Sequence, residues 1–198
     1  MIKRSKAKDK HELWDVYDAE KRATGKTIYR DAEWPAWTYH LVIHICLLDE
    51  EGRMLIQKRS DEKVLFPGCW DMTIAGNALA GETSQQAAMR EAREELGLLF
   101  DLEGRRPDMT IDFKEGFDDI YVVRLGIDRV GVVGDEEPLT GASELGRLPL
   151  QREEVTEVKW ADRDEVMAKL AAEEFLPYSP GFLAYLFEMR PVGGFLID

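Results

Sequence analysis

Gly76 and Gly97 bracket the stretch that most constrains this chain. Between them residues 84–96 read as a helix: Thr83 or Ser84 can serve as N-cap, and Gly97 stands where a left-handed residue ends it. Ala88, Ala92, Leu96 and Leu99 follow one stripe, and small alanines let a helix lie close on a sheet. Glu91, Glu94 and Glu95 make the opposite demand. Spaced i, i+3 and i+4, their carboxylates share a face, where each like-charge pair costs a few tenths of a kcal/mol. Hard oxygen donors gathered this way suit Mg²⁺ or Mn²⁺, ions that also bind substrate phosphates. Arg90 could pair with Glu94, while Glu82 in the preceding loop could bond Arg90 and hold that loop on the helix. Gly76 and Gly81 let the backbone turn sharply and bring a carbonyl near a metal. The glutamates alone would also fit a solvated helix face.

The rest of the chain supplies a sheet for this helix. Residues 13–17 and 27–30 read as a hairpin around a turn at 18–26, and 39–48 as a buried strand whose partner is 54–58. Further strands are expected at 70–75, 109–113, 120–125 and 155–160, with strand fragments and loop over 130–148. Helices are expected at 164–174 and 182–189. Mixed strands around a central helix, with helices at the C-terminus, indicate an α/β layered domain. A chain of 198 residues is enough for one well-cored domain, taken as 1–198, with 1–11 frayed and 12–37 an N-terminal hairpin extension.

Composition narrows the partners. With 39 acidic and 26 basic residues the formal net charge is −13, which disfavours nucleic acid. A phosphate substrate stays open, because cations held by clustered carboxylates reverse the local field. No apolar run reaches the roughly 20 residues of a membrane span, and the N-terminus lacks the apolar stretch of a secretory signal. Cys46 and Cys69 form neither a disulfide framework nor a metal spacing, so a reducing, cytoplasmic setting is expected.

Gly76, Glu82, the run Arg90-Glu91-Ala92-Arg93-Glu94-Glu95 and Gly97-Leu98 together resemble the Nudix box, Gly-x5-Glu-x7-Arg-Glu-U-x-Glu-Glu-x-Gly-U with U aliphatic, matched at every position over 23 residues. A chance match at a given start is roughly one in 10⁷ to 10⁸ at ordinary residue frequencies. The loop Phe66-Pro67-Gly68-Cys69-Trp70-Asp71 and the late segment 154–160 resemble the same family. The resemblance implies an α/β/α sandwich with the box as loop–helix–loop, and a Mg²⁺- or Mn²⁺-dependent hydrolase of a small-molecule diphosphate. It implies Glu91, Glu94, Glu95 and the Gly76 carbonyl as metal ligands, with Arg90 and Glu82 as orienters. Glu91 is one option for the base; outside the box Glu153 or Glu154 is the first candidate and Asp119 the second. Lys58 and Arg59 could bind a substrate phosphate, and Trp70 could stack on a base.

Trp14-Asp15-Val16-Tyr17-Asp18, Thr24-Gly25-Lys26, Tyr39-His40-Leu41-Val42 and Gln57-Lys58-Arg59-Ser60 resemble the isopentenyl-diphosphate isomerase-like branch. Where those isomerases carry catalytic cysteine and metal-binding histidine, this chain has Ala75 and Asn77. Phe117 and Asp119 occupy the positions of their paired glutamates, and one histidine is missing near Arg30 and Asp31. Isomerisation should therefore fail, and hydrolysis is the reading that follows; a non-catalytic diphosphate-binding module is the other alternative. His44, on an apolar strand, reads as a core histidine. His40 reads as a vestige or a site-wall residue. Trp34, Trp37 and Trp70 read as buried or as a dimer contact, and the hairpin with its tryptophans could mediate a homodimer.

Overall fold

The chain enters as a hairpin, β1 (Leu13–Tyr17) antiparallel to β2 (Ala23–Tyr29), in a computed structural model that describes residues 12–140 and 142–189. The expected frayed 1–11 lies outside the described residues. Asp18 closes the turn by accepting the amides of Glu20 and Arg22, with Lys21 at a left-handed φ of 59°. That side-chain closure makes the turn tight, so β2 begins at Ala23 rather than at the expected 27.

There follow β3 (His40–Leu48), β4 (Met54–Arg59), β5 (Trp70–Asp71), β6 (Ile74–Asn77), α1 (Ser84–Glu95), β7 (Leu98–Leu99), β8 (Met109–Phe113) and β9 (Gly116–Arg124). After them come β10 (Gly131–Val132), a 3-10 turn (Ala142–Arg147), β11 (Val155–Ala161), α2 (Arg163–Ala171) and α3 (Pro180–Glu188). The main sheet runs β11-β4-β3-β9-β8, with β5 beside β4 and β6 beside β3. β3 lies parallel to β9 and antiparallel to β6, so its aliphatic run is covered on both faces. The strand expected at 70–75 is broken in two. Between its halves Thr73 puts its hydroxyl between β3 and β4, accepting the Leu47 amide at 2.9 Å and donating to the Leu55 carbonyl at 2.6 Å. A side chain replaces the ladder there, and the chain steps from one neighbouring strand to the other.

Helices cover both faces, as the sandwich reading expects. On one, Ala87, Ala88, Ala92 and Leu96 of the α1 region pack against Ile43, Ile45 and Tyr121. On the other, Val166 of α2 and Leu183 and Leu186 of α3 pack against Cys46, Ile56 and Ile120. A capping box starts α1, Thr83 and Gln86 each bonding the other's backbone amide. Its stripe is one residue shorter than expected. Leu99 lies beyond the Gly97 turn (φ 65°), in β7 paired with β10, and is 42% exposed. α2 stops at Ala171, before the left-handed Glu173, and α3 begins early because Pro180 suits a first helical turn. No helix among the described residues is long and apolar enough to cross a membrane.

The hairpin is pinned to this body at several points. Tyr17 and Tyr39 exchange backbone hydrogen bonds, Ala80 donates to the Leu13 carbonyl, and Gly81 donates to Asp15 at 2.7 Å. At the turn, the Lys21 ammonium bonds Asp119 and reaches Thr110. Asp119 is only 2% exposed, so Lys21 is what makes its burial tolerable. Lys21→Met should lower stability by about 2 kcal/mol, a partly solvated version of stranding a buried charge. The shift in urea midpoint measures it, and Lys21→Arg should recover most of the loss.

Candidate active site

The loop before α1 is built around one guanidinium. Arg90 donates from Nε and Nη2 to the two oxygens of Glu82 at 2.7 and 2.9 Å, and from Nη2 to the Asn77 carbonyl at 2.9 Å. Glu82 also accepts the amide of Leu79, so the carboxylate ties the loop to the helix at both ends. The third side of the guanidinium faces Glu91 at 2.9 Å and Glu94 at 3.6 Å. Glu82 and Arg90 thus stand in the orienting geometry that the spacing suggested.

These groups form one wall of a cleft of about 440 Å³. Gly76, Glu91, Glu94 and Glu95 line that wall; Ala75, Val42, His44 and Tyr178 line its floor. Glu12 and Arg30 enter from the hairpin, and Arg59, Lys63 and Glu154 stand on the far side. Negative charge is concentrated on the helix wall, while each cation of the flanks is paired with a carboxylate there: Arg30 with Glu12, Lys63 with Glu154 and Arg59 with Asp71. A larger hollow of about 760 Å³ lies near Arg124 and Met189. It is lined by Asp49, Glu50 and Glu188 but by none of the α1 glutamates, and volume alone gives no reason to prefer it.

Several candidates lie elsewhere. Asp119 is absent from the cleft lining: it shares the α1 face of β9 with Phe117 and Tyr121 and is taken up by Lys21. Glu153 is exposed and also outside the lining, whereas Glu154, one residue on, lines the cleft and pairs with Lys63. Lys58 and Trp70 are on the other side of the sheet. Trp70 is 6% exposed in the second core, with the ammonium groups of Lys58, Lys159 and Lys169 over its ring at 5.9, 4.7 and 5.2 Å. That packing leaves no face for a base. Arg59 does line the cleft, but it is held by the Leu65 carbonyl and by Asp71. His40 is outside the lining, stacked on Trp14 at 4.6 Å beside Trp34. Its pKa is lowered by burial, against the opposing side-chain bond to Asn77. Trp37 is not buried but 84% exposed. Burial pushes the Cys46 thiol up to about 12, which makes it inert.

The donor set suits a divalent cation, although the three carboxylates are less gathered than their helical spacing suggested. Among the described residues no three acidic, histidine or cysteine groups already converge in a metal cluster. Glu94 is 55% exposed and turned toward Arg90, while Glu95 is buried and accepts a hydrogen bond from Gln57 at 3.2 Å. Burial pushes Glu91 up to about 7, with Arg90 offsetting part of the effect. Burial, then the charge of Glu91, holds Glu95 well above the usual carboxylate range. Two desolvated carboxyls of this kind are what a hard cation stabilises. Gln57 Oε1 is buried beside Glu95 without a partner. At Gly76 a Cβ would stand 2.4 Å from the Glu91 carboxyl carbon, so only glycine lets that carboxylate lie against the backbone.

Comparison with known proteins places this geometry. The NUDIX domain model matches residues 38–181. An uncharacterized Nudix hydrolase of Listeria monocytogenes is 39% identical over 179 residues, covering 90% of this chain and 95% of that protein. An isopentenyl-diphosphate Delta-isomerase of Cutibacterium acnes is 33% identical over 159 residues, covering 77% of this chain and 74% of its own. Among solved structures, a Deinococcus radiodurans protein has the same fold, with a TM-score of 0.59 at 24% identity over 89% of this chain and 98% of that one.

The close approach at Gly76 gives a direct test. Gly76→Ala should keep the fold, since the group it meets is the end of a flexible side chain, but should displace the Glu91 carboxylate. The expected result is a melting temperature within a few degrees of wild type and Mn²⁺ affinity weaker by at least about tenfold, read by electron paramagnetic resonance.

Proposed function

Since the chain belongs to the Nudix hydrolase family, whose members are generally metal-dependent pyrophosphohydrolases, we propose that it cleaves the diphosphate bond of a nucleoside diphosphate derivative or a related organic diphosphate. The observation that carries this reading is the cleft wall itself. Glu91 lies against the backbone of Gly76 and is paired with Arg90, which Glu82 fixes in turn, and Glu95 is buried on the same helix and bonded by Gln57. Glu91, Glu94, Glu95 and the Gly76 carbonyl would hold Mg²⁺ or Mn²⁺. When bound, such an ion supplies charge neutralisation for a diphosphate and acidifies a coordinated water.

The chain's own residues account for the remaining tasks. Arg59, Lys63 and Arg30 stand on the cleft flanks, each paired with a carboxylate, and their remaining N–H groups would orient the anionic substrate. Glu154 is the base candidate that faces the cleft, with Lys63 holding its carboxylate in place. Glu91, whose carboxyl is up at about 7, is the alternative within the wall.

The isomerase-named relatives make isomerisation the second reading. Ala75 and Asn77 both line the cleft, so the positions at which those enzymes carry their cysteine and histidine face the substrate space here. Alanine offers no thiol to move a proton at carbon. Asn77 offers an amide where those enzymes carry a metal-binding imidazole. A complete acidic wall has no purpose in a module that only binds a diphosphate.

The test is a substrate panel with Mg²⁺ or Mn²⁺, run with wild type, Glu94→Gln and Glu95→Gln. It includes nucleoside triphosphates, nucleotide sugars, ADP-ribose, dinucleotides, coenzyme A and isopentenyl diphosphate. Both variants should fold, Glu95→Gln because burial already favours the neutral form of that carboxyl. Each should lose at least about 100-fold in kcat/KM on whichever diphosphate is cleaved. Isomerised isopentenyl diphosphate with no hydrolysis, or no turnover with binding retained in both variants, would overturn the proposal.

A further inference from the structure

A chain of polar groups, His44 and Asp71 among them buried, runs along the cleft floor, and of its members the steps proposed above use only Arg59. Asp118 Oδ1 lies 2.7 Å from His44 Nδ1, and His44 Nε2 lies 3.0 Å from the Tyr178 hydroxyl. That hydroxyl donates to Asp71 Oδ1 at 2.7 Å, and Asp71 Oδ2 meets Arg59 Nη1 at 3.3 Å. The five side chains come from β9, β3, the segment between α2 and α3, β5 and β4. His44 is 7% exposed and Asp71 fully buried, yet both border the cleft.

Counting protons decides the state of the histidine. Tyr178 has one hydroxyl proton and gives it to Asp71, so toward His44 its oxygen can only accept, and Nε2 carries a hydrogen. Asp118 is an acceptor, so Nδ1 carries one as well. A neutral ring has a single N–H and would turn a lone pair on one of these oxygens. Only imidazolium satisfies both contacts. Charge then alternates along the chain, from Asp118 through His44 and Asp71 to Arg59, and sums to zero, which is how charge is buried tolerably. The surroundings agree: burial acts to lower the His44 pKa, but Asp118 and then Asp71 outweigh it, with Arg59 opposing, and the net direction is up. Burial, with Asp71 and Asp118, keeps Tyr178 protonated well above the ordinary phenol range.

We propose that His44, doubly protonated between Asp118 and Tyr178, is a positioning residue that fixes the Tyr178 phenol on the cleft floor and, through Asp71, the Arg59 guanidinium at its flank. Arg59 in turn bonds the Leu65 carbonyl, so the loop that carries Lys63 is held by the same chain. Both N–H groups of His44 are committed, so it acts on a substrate through what it holds in place. The benefit to diphosphate binding rests on the hydrolase reading above; the protonation and the ordering of Arg59 do not.

The sign of the pH dependence follows. A histidine whose folded pKa lies above its unfolded value of about 6.5 contributes stability that is complete below that value. The contribution is lost as pH rises through the folded value, so the Tyr178–Arg59 floor should loosen on the alkaline side.

Long-range ¹H–¹⁵N correlation spectra of the full chain test this directly, with His44→Gln assigning the signal. Both His44 ring nitrogens should show imidazolium shifts at pH 7 and keep them to a higher pH than that at which a free histidine titrates. Tyr178→Phe, which removes only the hydroxyl, should lower that titration. The Arg59 Nε–H should exchange at least about tenfold faster in His44→Gln, the effect of losing one charged link. A single-protonated ring at pH 7, or unchanged Arg59 exchange in either variant, would overturn the proposal; Tyr178→Phe decides if His44→Gln does not fold. Calorimetry with magnesium pyrophosphate should show binding at least about tenfold weaker in the same variants. A wild type that meets the spectroscopic expectations but binds no magnesium pyrophosphate would sustain this proposal and count against the hydrolase reading alone.

Discussion

The Arg90 guanidinium is engaged on three sides at once, by Glu82, by the Asn77 carbonyl and by Glu91. Each bond constrains a different part of the chain. Glu82 ties the loop after β6 to α1, Asn77 ties the end of β6 to the same helix, and Glu91 is one of the groups the cleft presents. A lysine could meet one of these demands but not the geometry of all three. α1 is therefore located twice over, by its alanine stripe against Ile43 and Ile45 and by this polar link on its open side. The carboxylates follow from that placement, since Glu91 reaches the backbone of Gly76 only because the helix lies this close.

What the sequence revealed divides along physical lines. The helix, its caps and the Arg90–Glu82 link were legible because they depend on short spacings: a capping residue, a stripe, an arginine eight residues after a glutamate. The buried strand β3 was legible from its own run of apolar and β-branched residues. The broken strand at 70–75 was not, because the hydroxyl of Thr73 meets Leu47 and Leu55 from elsewhere in the chain. Nor was the fate of Asp119, since nothing local says that Lys21 will reach it across 98 positions. Lys58 was misplaced by strand parity: Gln57 faces Glu95 and its neighbour faces Trp70.

The same limit explains which residues of the cleft, and behind it, were missed. Tyr178 and Asp118 acquire meaning only through His44, which lies 134 and 74 positions away from them. The one sequence signal was a histidine in an otherwise aliphatic strand, where burial argued for an inert core residue. Burial turned out to be compatible with charge, because two carboxylates and a phenol were brought to meet it. Arg30 and Lys63 carried no pattern of their own, being lone cations at a strand end and in a loop.

The hairpin contributes Glu12 and Arg30 to the cleft, yet the family model begins after it, at residue 38. It rests on the body through a few backbone bonds, Asp15, Lys21 and the buried Trp14 stacked on His40, and shares no strand with the main sheet. The side of the cleft that the hairpin supplies thus belongs to a different part of the fold from the side that carries the acidic groups. Over evolutionary time such a part can be exchanged or retuned without disturbing the reactive half, so kinship in the box carries little information about diet.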